Sequence, residues 1–225
     1  MIWLSELADR DPDVRDQARE KLMSLSRDRL QDLRRAVAVG RPVGVHDLRR
    51  LGAPCVEPVG VIAGRVDADG EVLPAALITR HLSFSLPYRA LVKPTLSLDT
   101  WERLLDALVL LIVRLHLLGF AWNDCSLSNT LFLRDAGAFS AHLVDAETGE
   151  SHETLSRGQR AYDIETASMN VMGELMDLQA GSMVPDTLDP AEVGPDFQRR
   201  YEHLWMTLTD AFFFNDTAPS EIYTL

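Results

Sequence analysis

The sequence has little cysteine, little lysine and no long hydrophobic run, and these shortages exclude several classes of protein. Two cysteines, Cys55 and Cys125, stand far apart among the 225 residues. This argues against a disulfide framework and predicts free thiols in a reducing cytoplasm. The longest apolar run, Ala107 to Val113, is far shorter than the ~20 residues of a membrane span, so no span is expected. The first residues also lack the basic and apolar regions of a secretion signal.

Positive charge is scarce as well, and the deficit is uneven along the chain. The formal net charge is −12; residues 1–130 carry 17 basic and 17 acidic side chains, whereas residues 131–225 carry 5 and 17. An acidic half repels phosphate backbones, so no nucleic-acid partner is expected. These carboxylates form a solvated surface, or some of them hold a cation. The six histidines lack metal-ligand spacing, which argues against a zinc site.

The first forty residues carry a helical apolar pattern. Val14, Ala18 and Leu22 recur at helical spacing after a plausible start, and Gly40 is a plausible end. One or two amphipathic helices are predicted here. Because such a helix cannot bury its own apolar face, residues 1–40 are expected either to dock on the rest of the chain or to bind a protein partner.

From residue 44 onward, helical and strand patterns alternate with turn signals. The pattern predicts, in order, a short helix ending at Gly52, a β-hairpin around Asp69-Gly70, a connector over residues 83–94 with one helical turn, an apolar helix capped by Asp99 or Thr100 and closed by Gly119, a second hairpin made of TLFL and AHLVD, a helix from Ala161 to Gly181, a loop over residues 183–196, and a last helix over residues 197–211.

A polar loop between two apolar segments is the feature that says most about function. The loop WNDCSLSN follows the apolar helix and precedes the second hairpin, and it contains Asp124 and Asn129. Antiparallel strands would return Asp145, at the end of the second strand, to the side of this loop. Two carboxylates and one carboxamide are hard oxygen ligands suited to Mg²⁺, which proteins commonly share with nucleotide phosphates. The alternative is that these residues are ordinary cap and turn residues.

The motif resembles that of the protein-kinase-like superfamily. Leu115, His116 and Gly119 precede the loop, the spacing from Asp124 to Asn129 is five residues, and Asp145 closes the following strand. Three segments resemble a bacterial domain-of-unknown-function family that is grouped with lipopolysaccharide-core kinases: WNDCSLSNTLF, LVDAETGE and GELMDLQAG. This resemblance covers about residues 44–208.

The resemblance implies ATP and Mg²⁺ as cofactors and a role for each matching residue. Asp124 would orient and deprotonate an acceptor hydroxyl, while Asn129 and Asp145 would hold the metal. In the hinge, the residues that would meet adenine are Arg80, His81 and Leu82. Asp163 and Trp122 are implied as supporting residues, and Asp163 would tie its helix to the loop. Trp122 replaces the usual histidine and would support the loop by packing rather than by hydrogen bonding.

Two elements of the family pattern are missing. No glycine-rich phosphate loop precedes the first hairpin, and no strand carries a lysine, since the chain contains only Lys21 and Lys93. The expected fold is therefore α+β, kinase-like, with a truncated or degenerate N-lobe and a mainly helical C-lobe. The expected function is phosphoryl transfer from ATP to an unknown hydroxyl acceptor on a sugar, a lipid-linked glycan, a small molecule or a protein. The alternative is an inactive pseudokinase that binds a nucleotide or a protein.

The same reasoning divides the chain into four parts. The end of the sequence, FFFNDTAPSEIYTL, follows a regular helix without turn residues and resembles translated sequencing adapter, so we expect it not to be native. The expected parts are a helical segment over residues 1–43 that is non-native or an interaction helix, a partial N-lobe and hinge over residues 44–86, a helical C-lobe with the catalytic loop and metal-binding hairpin over residues 87–211, and the tail over residues 212–225.

Overall fold

A computed structural model describes residues 45–92, 96–135 and 138–215 and shows an α+β fold that is mainly helical in its second half, as the sequence predicted. Residues 1–43 and most of the tail lie outside this range, so the expectations for both remain predictions. The elements are α1 Val45–Arg50, β1 Glu57–Ile62, β2 Ala76–Arg80, β3 Ser85–Pro87, α2 Tyr88–Leu91, α3 Leu98–Leu117, β4 Phe120–Ala121, β5 Thr130–Asp135, β6 Ala138–Leu143, β7 Glu150–Ser151, α4 Arg157–Ala180 and α5 Pro190–Asn215.

The first sheet is the predicted hairpin of β1 and β2, which pair antiparallel. Its turn is held by the Asp67 carboxylate, which accepts hydrogen bonds from the N–H groups of Asp69 (3.0 Å) and Glu71 (2.9 Å). Among the described residues the sheet has only these two strands, and much of its apolar surface faces solvent: the Val61 and Leu77 side chains are 66% and 51% exposed. A hairpin of this size is marginal by itself in water.

The second sheet has the order β3-β5-β6. The hairpin of β5 and β6 was predicted, but β3 was not, because the pattern indicated only a connector there. Its three residues include Pro87 and are too few to show an alternating pattern. Strand β3 pairs with β5, with Ser85 opposite Leu133, and so joins the connector to the hairpin that carries the polar loop.

Helix α3 is the centre of the core. Its side chains at Leu104, Leu108, Ile112 and Leu115 are fully buried, as expected for a helix that is apolar almost all round. The predicted cap at Asp99 or Thr100 is wrong: the N-cap is Ser97, whose hydroxyl accepts from the Thr100 N–H at 3.2 Å. Three candidate caps in four residues make the exact start ambiguous in sequence.

Helices α4 and α5 pack against each other, and α5 also packs against α3. Helix α4 starts with a capping box in which Ser156 and Gln159 exchange hydrogen bonds. Helix α5 starts at Pro190, so the predicted loop over residues 183–196 is wrong in its second half. Proline is favourable in the first turn of a helix, as at Pro190, whereas Pro195 lies inside α5 and removes one i→i−4 hydrogen bond.

The short strands β4 and β7 pair with each other just after Gly119. Gly119 has a φ of +75°, and its carbonyl accepts from the His152 N–H at 2.8 Å. A Cβ atom on residue 119 would lie 2.2 Å from the His152 carbonyl oxygen. Glycine is therefore required here both by the left-handed backbone and by the close approach of the neighbouring strand.

Replacing Gly119 by alanine should strongly destabilise the protein. The backbone cost and the clash together should lower the free energy of unfolding by roughly 3 kcal/mol or more, which is a fall in Tm of roughly 6–12 °C. The matched control is Gly173→Ala in helix α4, where a Cβ atom would meet nothing within 4 Å. This control should raise stability by about 0.5–1 kcal/mol. Thermal unfolding followed by circular dichroism compares the two; equal Tm values would contradict the prediction.

Candidate functional site

The β5–β6 hairpin returns Asp145 to the side of Asn129, as the sequence pattern required. In the antiparallel register Thr130 lies opposite Leu143. One step further, the Val144 N–H donates to the Asn129 carbonyl at 3.1 Å. The residue after Val144 is Asp145, so its side chain starts beside the end of the polar loop.

Within the loop, Asn129 is turned toward Asp124. The Nδ2 amide of Asn129 donates to the Oδ2 atom of Asp124 at 2.7 Å and to the Asp124 carbonyl at 3.2 Å. Both side chains are half-buried. Because the amide hydrogens are used on Asp124, the carbonyl oxygen Oδ1 of Asn129 is turned away from Asp124 and can serve as a ligand.

Trp122 is fully buried and joins the loop to Asp145 by a hydrogen bond as well as by packing. Its Nε1–H donates to the Asp145 carbonyl at 2.6 Å. The expectation that Trp122 acts by packing rather than by hydrogen bonding is therefore wrong. The indole has one N–H donor at the edge of a large apolar ring, so a buried tryptophan can supply both. The Asp145 carboxylate itself accepts from the Glu147 N–H at 3.0 Å.

A second tie runs from the loop to the turn after Asp145. Asn123 has a φ of +62°, a conformation uncommon for residues other than glycine. Its side-chain amide donates to the Thr148 carbonyl at 3.2 Å, and the Thr148 hydroxyl donates to the Trp122 carbonyl at 3.0 Å. The turn that follows Asp145 is thus held against the start of the loop.

Asp163, on helix α4, lies directly beneath the loop and is completely buried. Its carboxylate accepts from the backbone N–H groups of Trp122 (2.6 Å) and Asn123 (2.9 Å) and contacts the Nε2 atom of His116 at 3.0 Å. The other ring nitrogen of His116 is 2.7 Å from the Tyr201 hydroxyl. These bonds give the buried carboxylate the partners that burial demands, and they tie three helices and the loop together.

Two further residues of helix α4 hold the loop, and neither was predicted from the sequence. The Nδ2 amide of Asn170 donates to the Asp124 Oδ1 atom at 3.3 Å and to the Cys125 carbonyl at 3.2 Å. The Glu174 carboxylate accepts from the N–H groups of Leu127 (2.7 Å) and Ser128 (2.8 Å) and from the Ser128 hydroxyl.

A sequence signal for these two residues does exist. Asn170 and Glu174 follow Asp163 by seven and eleven residues, a spacing that keeps all three on one face of a helix. On the adjoining face of the helix the side chains of Val171 and Leu175 are fully buried, so the polar residues run along the edge of a buried stripe. Polar residues that keep the period of a buried stripe are candidates for contacts with another element, and this pattern would have identified them.

The predicted hinge residues lie apart from the loop. Arg80 ends strand β2 and pairs with Glu57, with 3.1 Å between Nε and Oε2. His81 is exposed and Leu82 half-buried, and the Leu82 carbonyl accepts from the Ser85 N–H at 3.2 Å. Within the described ranges no hydrogen bond or ion pair joins these three residues to the loop.

Several features of the described residues bear on cofactors and membranes. The described residues contain no group of three or more His, Cys, Asp or Glu side chains placed to hold a metal ion. The predicted metal ligands, Asn129 and Asp145, do not form such a group, because they are one asparagine and one aspartate. Both lysines, Lys21 and Lys93, lie outside the described residues. In the described part of the chain, no helix has the length and apolarity needed to cross a membrane.

Cys55 and Cys125 form no disulfide, as predicted, and both are buried. Burial raises the pKa of the Cys55 thiol to about 11. Burial also raises the pKa of the Cys125 thiol well above its usual value, and the carboxylates of Asp163, Glu174 and Asp124 add to this effect. Since the thiolate is the reactive form, both side chains should be inert in the folded protein.

We therefore expect neither cysteine to react with Ellman's reagent at pH 8 in the native state. Both should react within minutes once the chain is unfolded in urea, where their pKa values return to the usual range near 8.5. The control is the same titration on Cys55→Ser, which isolates Cys125. Rapid labelling of Cys125 in the folded protein would show that the polar loop opens readily.

The hydrogen bond of Trp122 can be tested with Trp122→Phe, which retains an aromatic ring but removes the donor. We expect a loss of roughly 2–3 kcal/mol in the free energy of unfolding, from the orphaned Asp145 carbonyl and the smaller ring. Urea unfolding measures this loss. In ¹⁵N NMR spectra of the wild type, the indole N–H of Trp122 should exchange slowly with solvent; fast exchange would argue against the bond to Asp145.

Comparison with known proteins gives distant similarity to solved structures. No family model matches the chain, and no curated protein matches its sequence. Among solved structures, a chain described as "WaaP in complex with acyl carrier protein" is similar with a TM-score of 0.44 and 15% sequence identity, over 70% of this chain and 72% of that chain. A likeness this distant transfers no residue role, so the functional assignment depends on the contacts within this chain.

Proposed function

We propose that this chain is a kinase-like phosphotransferase that uses Mg·ATP and transfers a phosphoryl group to a hydroxyl acceptor. The observation that carries the proposal is the convergence of Asp124, Asn129 and Asp145. A hydrogen bond of 2.7 Å joins the first two side chains, and the backbone pairing of β5 and β6 sets the third beside them. The order of loop and hairpin in the family pattern also supports the proposal.

The donor set fits a magnesium ion. The Asn129 Oδ1 atom and the Asp145 carboxylate are hard oxygen ligands, and Mg²⁺ prefers one or two such protein ligands and completes its shell with water and substrate phosphates. Asn129 and Asp145 would hold the ion. When bound there, Mg²⁺ would neutralise negative charge on the phosphates during transfer.

Asp124 is proposed as the residue that receives the acceptor hydroxyl. Each oxygen of an ionised carboxylate offers two acceptor positions, and one on each oxygen is already used by an asparagine amide. The remaining positions can accept the hydrogen of a hydroxyl and aim its oxygen at the phosphate. Proximity and orientation of this kind account for much of the catalysis in phosphoryl transfer.

The nucleotide base is proposed to lie against the connector that contains Arg80, His81 and Leu82. This segment leaves strand β2 and enters β3, so it links the exposed hairpin to the sheet that carries the loop. The Leu82 carbonyl already accepts from Ser85, which leaves the backbone of Arg80 and His81 as the better candidates for base contacts. The acceptor remains a hydroxyl compound of unspecified class.

A thermal-shift titration with Mg·ATP tests the proposal. At a concentration of 100 times the dissociation constant, binding should stabilise the folded protein by about 2.7 kcal/mol, a rise in Tm of roughly 5–10 °C. Asp145→Asn should reduce this rise by more than half, because it removes a charged ligand of the metal. The matched control is Glu165→Gln, an exposed carboxylate on helix α4, which should behave as the wild type.

The outcomes separate the two candidate functions. A Tm rise together with release of ADP, measured in a coupled assay, supports phosphoryl transfer. A Tm rise without any turnover on ATP, in the presence or absence of acceptor hydroxyls, would favour the nucleotide-binding pseudokinase instead. No Tm rise in the wild type at millimolar Mg·ATP would refute nucleotide binding altogether.

A further inference from the structure

We propose that Asn170 is a positioning residue that fixes the orientation of the Asp124 carboxylate, and that Glu174 supports it by setting the turn that follows. The inference rests on the proposed function, because it assigns these two residues to the same site. The residues belong to helix α4, far along the chain from the loop that they hold.

The contacts of Asp124 show why a second amide matters. Asn129 donates to Oδ2 at 2.7 Å from one side, and Asn170 donates to Oδ1 at 3.3 Å from the other. A carboxylate held at one oxygen alone can turn about its Cβ–Cγ bond, whereas one held at both oxygens has a defined plane. Asn170 also donates to the Cys125 carbonyl at 3.2 Å, so the side chain and the backbone of the loop are held by a single amide.

Glu174 acts on the backbone between the two proposed functional residues. Its carboxylate accepts from the consecutive N–H groups of Leu127 and Ser128, at 2.7 and 2.8 Å, and from the Ser128 hydroxyl. These atoms lie in the turn that determines how Asn129 returns toward Asp124. Charge-assisted bonds to two adjacent N–H groups are stronger than neutral ones, so the turn is held firmly.

Helix α4 is a rigid support for these contacts. Between and beside the polar residues, the side chains of Ala167, Val171, Leu175 and Leu178 are fully buried in the core. Asn170 and Glu174 are only half-buried, so they reach the loop at the border of the core. Displacing a reacting group by about 1 Å can cost about a hundredfold in rate, so an anchor of this kind affects turnover rather than nucleotide binding.

An exchange of side chains tests the direct contact. Asn170→Asp places a carboxylate against the Asp124 carboxylate, and the Tm should fall by roughly 5 °C or more as two like charges repel each other. The double variant Asp124→Asn/Asn170→Asp restores one amide and one carboxylate in exchanged positions. Its Tm should recover by about half of the fall or more; the part not recovered reflects the Cys125 carbonyl, which loses the Asn170 amide in both variants. This readout requires no activity.

Kinetics test the positioning role. In a coupled assay of Mg·ATP turnover, Asn170→Leu should lower kcat at least tenfold while the KM for ATP stays within about twofold, because only the orientation of Asp124 changes. The exchanged double variant should recover much of the lost Tm but none of the lost turnover, since the carboxylate is then in the wrong position. The control is Met169→Leu, the preceding residue, whose side chain is 62% exposed and should leave both constants unchanged.

The possible results separate this inference from the proposed function. Wild-type kcat in Asn170→Leu, or no recovery of Tm in the exchanged double variant, overturns the positioning role even when Mg·ATP binds and turns over. If the wild type neither binds nor hydrolyses Mg·ATP, the proposed function fails. In that case the Tm of the exchanged double variant still tests whether Asn170 orients Asp124. Recovery of the Tm supports this role, and no recovery refutes it.

Discussion

The buried carboxylate of Asp163 is the constraint on which the rest of the site depends. A carboxylate without solvent costs several kcal/mol unless donors surround it. Here the donors are the N–H groups of Trp122 and Asn123 and the ring of His116. Since the polar loop supplies two of these donors from its own backbone, Asp163 can be buried only if the loop takes this shape. The backbone of the loop therefore supplies the hydrogen bonds that the buried Asp163 carboxylate needs, and these bonds fix the shape of the loop from within the protein.

The site has two halves with different supports. One half, the loop and its hairpin, is held by contacts among neighbours in sequence, such as the bond between Asn129 and Asp124 and the strand pairing that returns Asp145. The other half is helix α4, which contacts the loop at three successive levels through Asp163, Asn170 and Glu174. Both supports lie in the second half of the chain. The exposed β1–β2 hairpin takes no part in them, so the loop geometry can exist without a complete N-terminal sheet.

Much of this architecture was predictable from pattern, and the failures have identifiable physical causes. Helix α3 and the two hairpins were predicted because strong periodicity and turn residues agree with burial. Strand β3 was missed because three residues with a proline show no period. Helix α5 starts earlier than predicted: Pro190 is at its first position, where proline is favourable, but Pro195 lies inside it, where a proline does not indicate a helix. Trp122 supports the loop by a hydrogen bond as well as by packing, because the apolar indole ring carries one N–H donor at its edge.

By itself, the sequence determined which chemistry is available and where along the chain it occurs: two aspartates and an asparagine at the ends of a loop and a strand, with few lysines and no glycine-rich loop. Spacing along a hairpin is local, so the meeting of Asn129 and Asp145 could be inferred without a structure. Only the tertiary structure decided how Asp124 is oriented. That depends on Asn170 and Glu174, which lie more than forty residues away. The helical period marks these two residues as candidates for a contact, but which element they meet depends on how the helices pack, and the local order of residues does not give that.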